Sequence, residues 1–103
     1  MTEFTSKLLE IIKTIPNGKV TTYGRLAVMA GNPRGARQVA WVLKAYSKKY
    51  DLPWHRIINS KGMISLEEGH GFELQKSLLE GEGICVNKNG SIDLDTYLWG
   101  KDS

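Results

Sequence analysis

The stretch TTYGRLAVMAGNPRGARQVAWVLKAY, residues 21–46, decides how this chain is read. Thr22 is a good N-cap, because its hydroxyl can accept from an orphan N–H of the first turn. It predicts a short helix over Tyr23–Ala30 with Leu26, Ala27 and Ala30 facing inward. Gly31 suits the position just past a helix end, and Asn32-Pro33 forbids continuation. A second helix is expected from about Arg34 to Tyr46. Val39, Ala40, Leu43 and Tyr46 fall on its inner face, and Arg34, Arg37, Trp41, Lys44 and Lys48 on the other. Short helix, glycine turn and a second helix with a basic outer face make a helix-turn-helix pattern.

Upstream, Phe4, Leu8, Ile11, Ile12 and Ile15 form an apolar stripe that predicts a helix over Glu3–Ile15. Pro16-Asn17-Gly18 stops it, and Lys19-Val20-Thr21 reads as a short extended piece. Downstream, Trp54 to Ile58 reads as extended, Asn59-Ser60-Lys61-Gly62 as a turn, and Met63-Ile64-Ser65 as the return of a hairpin. Phe72 to Gly81 predicts a helix with Phe72, Gln75, Leu78 and Leu79 inward. Ile84-Cys85-Val86 and Ser91-Ile92-Asp93 flank a turn at Asn87–Gly90 and read as a second small hairpin. Helices followed by a small β wing give an α+β domain of the winged helix-turn-helix type.

The 103 residues are enough for one domain over 1–103 and too few for two. The single cysteine, Cys85, excludes an intramolecular disulfide and a cysteine-based zinc site. No apolar run approaches the ~20 residues of a membrane span, and the N-terminal MTEFTSKLLEIIK does not read as a signal peptide. A reducing, cytoplasmic location is therefore expected. The net charge of +3 hides a division. Residues 1–62 carry eleven Lys or Arg against three acids, a balance of +8; residues 63–103 carry three against eight, a balance of −5. A basic first part suggests a polyanionic partner.

Few residues offer chemistry of their own. Cys85 lies between Ile84 and Val86 with no adjoining histidine, and reads as a buried core thiol rather than a nucleophile. His55 and His70 have no second ligand at usable spacing, so no metal is expected. No glycine-rich phosphate loop is present, and no cofactor is expected. Pro53-Trp54-His55-Arg56 is unusual, because three large side chains at a strand start are costly to bury without partners.

Three blocks together resemble the C-terminal DNA-binding domain of the O6-alkylguanine-DNA alkyltransferases: Ile15-Pro16-Asn17-Gly18-Lys19-Val20-Thr21-Thr22-Tyr23-Gly24, then Ala30-Gly31-Asn32-Pro33 through Ala36-Arg37-Gln38-Val39, then Pro53-Trp54-His55-Arg56. Leu79-Glu80-Gly81-Glu82-Gly83 is a fourth, weaker block. The alkyltransferases carry Pro-Cys-His-Arg, and that cysteine accepts the alkyl group. Here Trp54 stands in its place, and an indole cannot replace a thiolate nucleophile. The chain is thus similar to the alkyltransferase-like proteins.

The resemblance implies a protein that binds O6-alkylguanine in double-stranded DNA without repairing it, and marks it for the damage-recognition proteins of nucleotide excision repair. It implies no catalytic residue. Arg37 matches the intercalating arginine, Tyr23 the tyrosine that rotates the nucleotide outward, and Trp54 lines the pocket for the flipped base. His55, Arg56 and Glu82 would support that pocket. Thr22, Arg34, Gly35, Ala36, Gln38, Lys44 and Lys48 are the DNA-binding candidates, the small Gly35 and Ala36 allowing close approach to the minor groove. A monomer with no membrane contact is expected, cytoplasmic if bacterial and nuclear if eukaryotic. Two other readings stay open: a winged-helix regulator without lesion specificity, and a divergent alkyltransferase using Cys85.

Overall fold

A computed structural model describes residues 1–67 and 69–100. Helix α1 spans Glu3–Lys13, capped by Thr2, whose side chain accepts from the Thr5 N–H. It ends at Lys13, two residues before the expected Ile15, with Thr14 as its C-cap, yet Ile15 remains buried. Strand β1, Thr21–Thr22, leads directly into helix α2, Tyr23–Met29. Thr22 caps α2 as its sequence predicts, accepting from the Arg25 N–H at 3.2 Å.

Helix α3 spans Ala36–Tyr50, starting later and running further than the sequence pattern suggests. Its start is delayed because Asn32 organises the preceding turn. The Asn32 side-chain oxygen accepts from the Arg34 N–H at 3.3 Å, and its carbonyl from the Gly35 N–H at 2.9 Å. Its end waits for Asp51, the one non-glycine residue with a left-handed backbone among those described. Val42 is buried on α3, whereas Ala40, assigned to the inner face from spacing, is exposed.

A 3-10 turn at Trp54–Arg56 precedes strand β2, Ile57–Ile58, where the sequence suggested one continuous extended run. β1 and β2 pair in parallel, Thr21 with Ile57 and Thr22 with Ile58. Successive strand residues point to opposite faces, and the core divides accordingly. Ile57 joins a cluster with Leu8, Ile12, Leu26, Val39 and Val42 beneath the three N-terminal helices. Ile58 joins a smaller one with Val20, Ile64, Leu79, Ile84 and Ile92.

Helix α4 spans Phe72–Gly81, as expected, with Gln75 and Leu79 buried; Leu78 is 38% exposed rather than inward. The wing differs from its sequence reading. The turns at residues 59–63 and 87–91 close through Asn59 N–H to Met63 O and Asn87 N–H to Ser91 O, both 3.0 Å. Neither continues as a hairpin ladder. The two segments pair with each other instead: Met63 bridges Ser91, and the Ile64 N–H donates to the Gly90 carbonyl at 2.9 Å. Burial of Ile64 and Ile92 in the same cluster stabilises this arrangement. A four-residue helix α5, Leu94–Tyr97, was not evident from the sequence, being too short to show a period. The chain beyond it pairs with Val20: Val20 N–H donates to Tyr97 O at 2.9 Å, and Trp99 N–H to Val20 O at 2.7 Å.

Candidate nucleic-acid interface and base pocket

The geometry around Trp54 follows from its turn. The Trp54 N–H donates to Leu52 O at 2.8 Å, and the Arg56 N–H to Pro53 O at 3.1 Å. In a strand, His55 and Arg56 would point to opposite faces. In the turn both reach one carboxylate, that of Glu82. His55 Nε2 contacts Glu82 Oε2, and Arg56 donates from Nη2 to Oε2 at 2.8 Å and from Nε to both oxygens at 2.9 and 3.0 Å. Arg56 Nη1 also donates to Ile15 O at 2.8 Å. Gly18 completes the set: its backbone, at φ +86°, turns its N–H toward Glu82 Oε1 at 2.9 Å. That left-handed conformation strongly favours glycine.

Charge follows this geometry. Burial pushes the Glu82 carboxyl up, but the hydrogen bonds from Arg56, Gly18 and His55 outweigh it and hold the carboxyl at about 2. Glu82 is thus an anion at neutral pH, and its neighbours satisfy its lone pairs. The turn is held from the other side by Gln75 of α4. Its buried amide donates to the carbonyls of His55 and Ile57 at 3.0 and 3.1 Å. Its helical spacing places Gln75 inward, and a polar residue on an apolar face signals a buried partner without saying which one.

Trp54 lines a cavity of about 420 Å³ with Tyr23, Ala40, Leu43, Lys44, Ser47, Leu66 and Gln75. That volume falls within the roughly 300–1,000 Å³ of small-molecule sites. Tyr23 enters from the first turn of α2, and Ala40, Lys44 and Ser47 from one flank of α3. The exposure of Ala40 now has a reason: it faces the cavity, where its small side chain leaves room. The Trp54 ring meets His55 edge-on, 6.1 Å between centroids, so the network beneath also orients the indole.

Arg37, Lys44 and Lys48 are exposed on α3 and make no ion pair among the described residues. Arg34 is exposed in the turn before α3. Gln38 is exposed too, accepting from the Asn32 amide at 3.0 Å. Ala36 is half-buried at the first turn of α3. Two of the expected DNA-facing positions lie behind this face. Thr22 is buried, its hydroxyl committed to capping α2. Gly35 is buried as well, and a Cβ there would lie 3.1 Å from Phe4 and Asn32 atoms. Its lack of a side chain therefore serves internal packing.

Cys85 is exposed, against its reading as a core thiol. Ile84 takes the buried position, and the Cys85 N–H donates to the Tyr97 hydroxyl at 3.2 Å. It lines neither cavity that Trp54 borders. No cluster of three or more metal-ligating side chains occurs among the described residues.

Comparison with known proteins agrees with this architecture. The family model described as the DNA-binding domain of 6-O-methylguanine DNA methyltransferase matches residues 3–84. The DNA base-flipping protein of Escherichia coli is 46% identical over 96 residues, covering 93% of this chain and 74% of that protein. Alkyltransferase-like protein 1 of Schizosaccharomyces pombe is 38% identical over 104 residues, covering 96% of each. Its crystal structure in complex with damaged DNA containing O6-carboxymethylguanine superimposes with a TM-score of 0.86 at 38% identity, covering 98% of both chains. The methylated-DNA–protein-cysteine methyltransferase of mouse is 33% identical over 102 residues, covering 97% of this chain but 48% of that protein. With a Trp-His-Arg turn, a carboxylate beneath it and matches of this extent, the chain belongs to the 6-O-methylguanine DNA methyltransferase DNA-binding family, among its alkyltransferase-like members.

Proposed function

We propose that this chain is a non-enzymatic sensor of O6-alkylguanine in double-stranded DNA. It approaches through the minor groove, flips the altered base into the Trp54 cavity and presents the lesion to the damage-recognition proteins of nucleotide excision repair. One observation carries the reading: the His55–Glu82–Arg56 network is fully assembled beneath position 54, where an indole stands and no thiol. A covalent transfer needs a nucleophile at that point. An indole offers a flat apolar surface instead, on which an alkylated base can rest.

In this proposal Arg37 enters the base stack and fills the space left by the extruded nucleotide. Flipping costs a few kcal/mol of unstacking and unpairing, and a planar guanidinium offsets part of it by stacking and hydrogen bonding to the orphaned base. Tyr23, at the cavity edge, guides the nucleotide outward. Arg34, Lys44 and Lys48 bind phosphates without reading sequence. The protein acts as a monomer, in the cytoplasm of a bacterium or the nucleus of a eukaryote. The names of the relatives support base flipping, and the damaged-DNA complex of the yeast protein supports lesion binding.

The test compares two duplexes identical but for one O6-methylguanine, titrated at matched salt. Tighter binding to the methylated duplex is expected, and Arg37→Ala should reduce that preference about tenfold. Equal affinity for the two duplexes refutes lesion sensing. Mass spectrometry after incubation with alkylated DNA should show an unaltered protein mass; a gain equal to the alkyl group refutes the non-enzymatic reading.

A further inference from the structure

We infer that Trp41 is a second DNA-contacting aromatic residue, which enters the minor groove beside Arg37 on the flank away from the base cavity. This rests on the DNA-binding reading above. Trp41 is 60% exposed, the largest side chain left so open in the described chain. At about 100° per residue along α3, Arg37, Trp41, Lys44 and Lys48 lie within an arc of about 60°. The buried Val39, Val42 and Leu43 face the opposite side. Ala40, Lys44 and Ser47, which line the cavity, lie on one side of Arg37, and Trp41 on the other, with Lys44 the closest of the three to the arc's centre.

The surroundings define the partner. Helix α3 contains no acidic residue, so its outer face is a row of cations with one indole among them. A single exposed apolar residue is ordinary on a protein surface. An indole inside a cationic row fits a polyanion whose phosphates take the charges while its sugars and base edges take the ring. Minor-groove proteins use apolar side chains this way, as wedges beside Arg and Lys. The ring is also braced: Tyr46 meets it edge-on at 6.1 Å between centroids and 83° between planes. A ring held in place before binding loses less conformational freedom on contact.

The location fixes the phenotype. Because Trp41 stands away from the cavity, it adds affinity to damaged and undamaged duplexes alike. Because it carries no charge, it adds nothing to the salt dependence. The experiment titrates both duplexes across a salt series with the unaltered protein, Trp41→Ala, Trp41→Gln and Trp41→Phe. Trp41→Ala and Trp41→Gln should each bind about tenfold more weakly to both duplexes, with the salt slope unchanged and the urea midpoint lowered only by the small loss of the Tyr46 ring contact. Trp41→Phe should recover most of the loss. If Trp41→Ala and Trp41→Gln bind like the unaltered protein, this inference is overturned even while the lesion preference stands. If they reduce only the preference, the placement away from the cavity is overturned. Failure of the unaltered protein to bind either duplex overturns both this inference and the reading beneath it.

Discussion

Replacing Glu82 by Gln removes one charge from the network that sets the Trp54 turn, and its effect can be worked through. The carboxylate accepts from Gly18, from two nitrogens of Arg56, and faces His55. A glutamine keeps one accepting oxygen and turns the other position into a donor aimed at donors. Arg56 retains the Ile15 carbonyl but loses its counter-charge, at a site where the two side chains are 17% and 9% exposed. Removing one partner of a buried ion pair costs about 3–5 kcal/mol. The oxygen that remains and the partial exposure of Arg56 reduce this to about 2–3 kcal/mol. For a domain of this size that lowers Tm by roughly 10–20 °C.

Urea unfolding at pH 7 measures the loss as a shift in midpoint at constant slope. Acid provides the second arm. The folded carboxyl sits at about 2, below its ordinary 4.5, so between those values the unfolded chain binds more protons. The stability that Glu82 contributes is therefore fully present above about pH 4.5 and is lost as pH falls toward 2. The gap between wild type and Glu82→Gln should narrow as pH falls from about 4.5 toward 2. A midpoint within error of wild type, or a gap that stays constant down to pH 3, refutes the assignment of Glu82 as the hub.

Lys48→Ala should leave folding unaltered and reduce the slope of log affinity against log salt by about 1, as expected for one lost phosphate contact; an unchanged slope removes Lys48 from the interface. Leu8, fully buried in the larger core cluster, should cost about 3–5 kcal/mol on change to Ala, read by the same urea unfolding; a loss under 1 kcal/mol would show that the site collapses around the gap. Cys85 should react with iodoacetamide in the folded protein, because it is exposed; modification only after unfolding would contradict its position.

Residues 21–46 carried the fold in legible form because each signal there is local. Thr22 caps, Gly31 turns with φ +95°, and the α3 spacing separates Val39 from Arg37. The wing was less legible because its pairing is not local. Met63 and Ser91 each look ready to close their own hairpin, and only the shared cluster of Ile64 and Ile92 makes them choose each other. Cys85 misled because its apolar neighbours suggested burial, while alternation at an extended segment puts Ile84 in and Cys85 out. At the site, the motif residues identified Trp54, His55, Arg56 and Glu82, but no local pattern indicates that Gln75 or the Gly18 N–H holds them. Those partners are 18 to 64 residues apart in sequence.

The turn that carries Trp54 is maintained by backbone bonds, by His55 and Arg56 on Glu82, and by Gln75 from behind. None of these bonds uses the side chain of residue 54. That position works as a socket: the fold specifies where its tip projects and leaves open what the tip is. The bracket and the tip are thus held by different forces: hydrogen bonds fix the turn, while the indole packs against the larger core cluster and walls the cavity. A substitution at position 54 should therefore alter the cavity wall and leave the hydrogen bonds of the bracket in place.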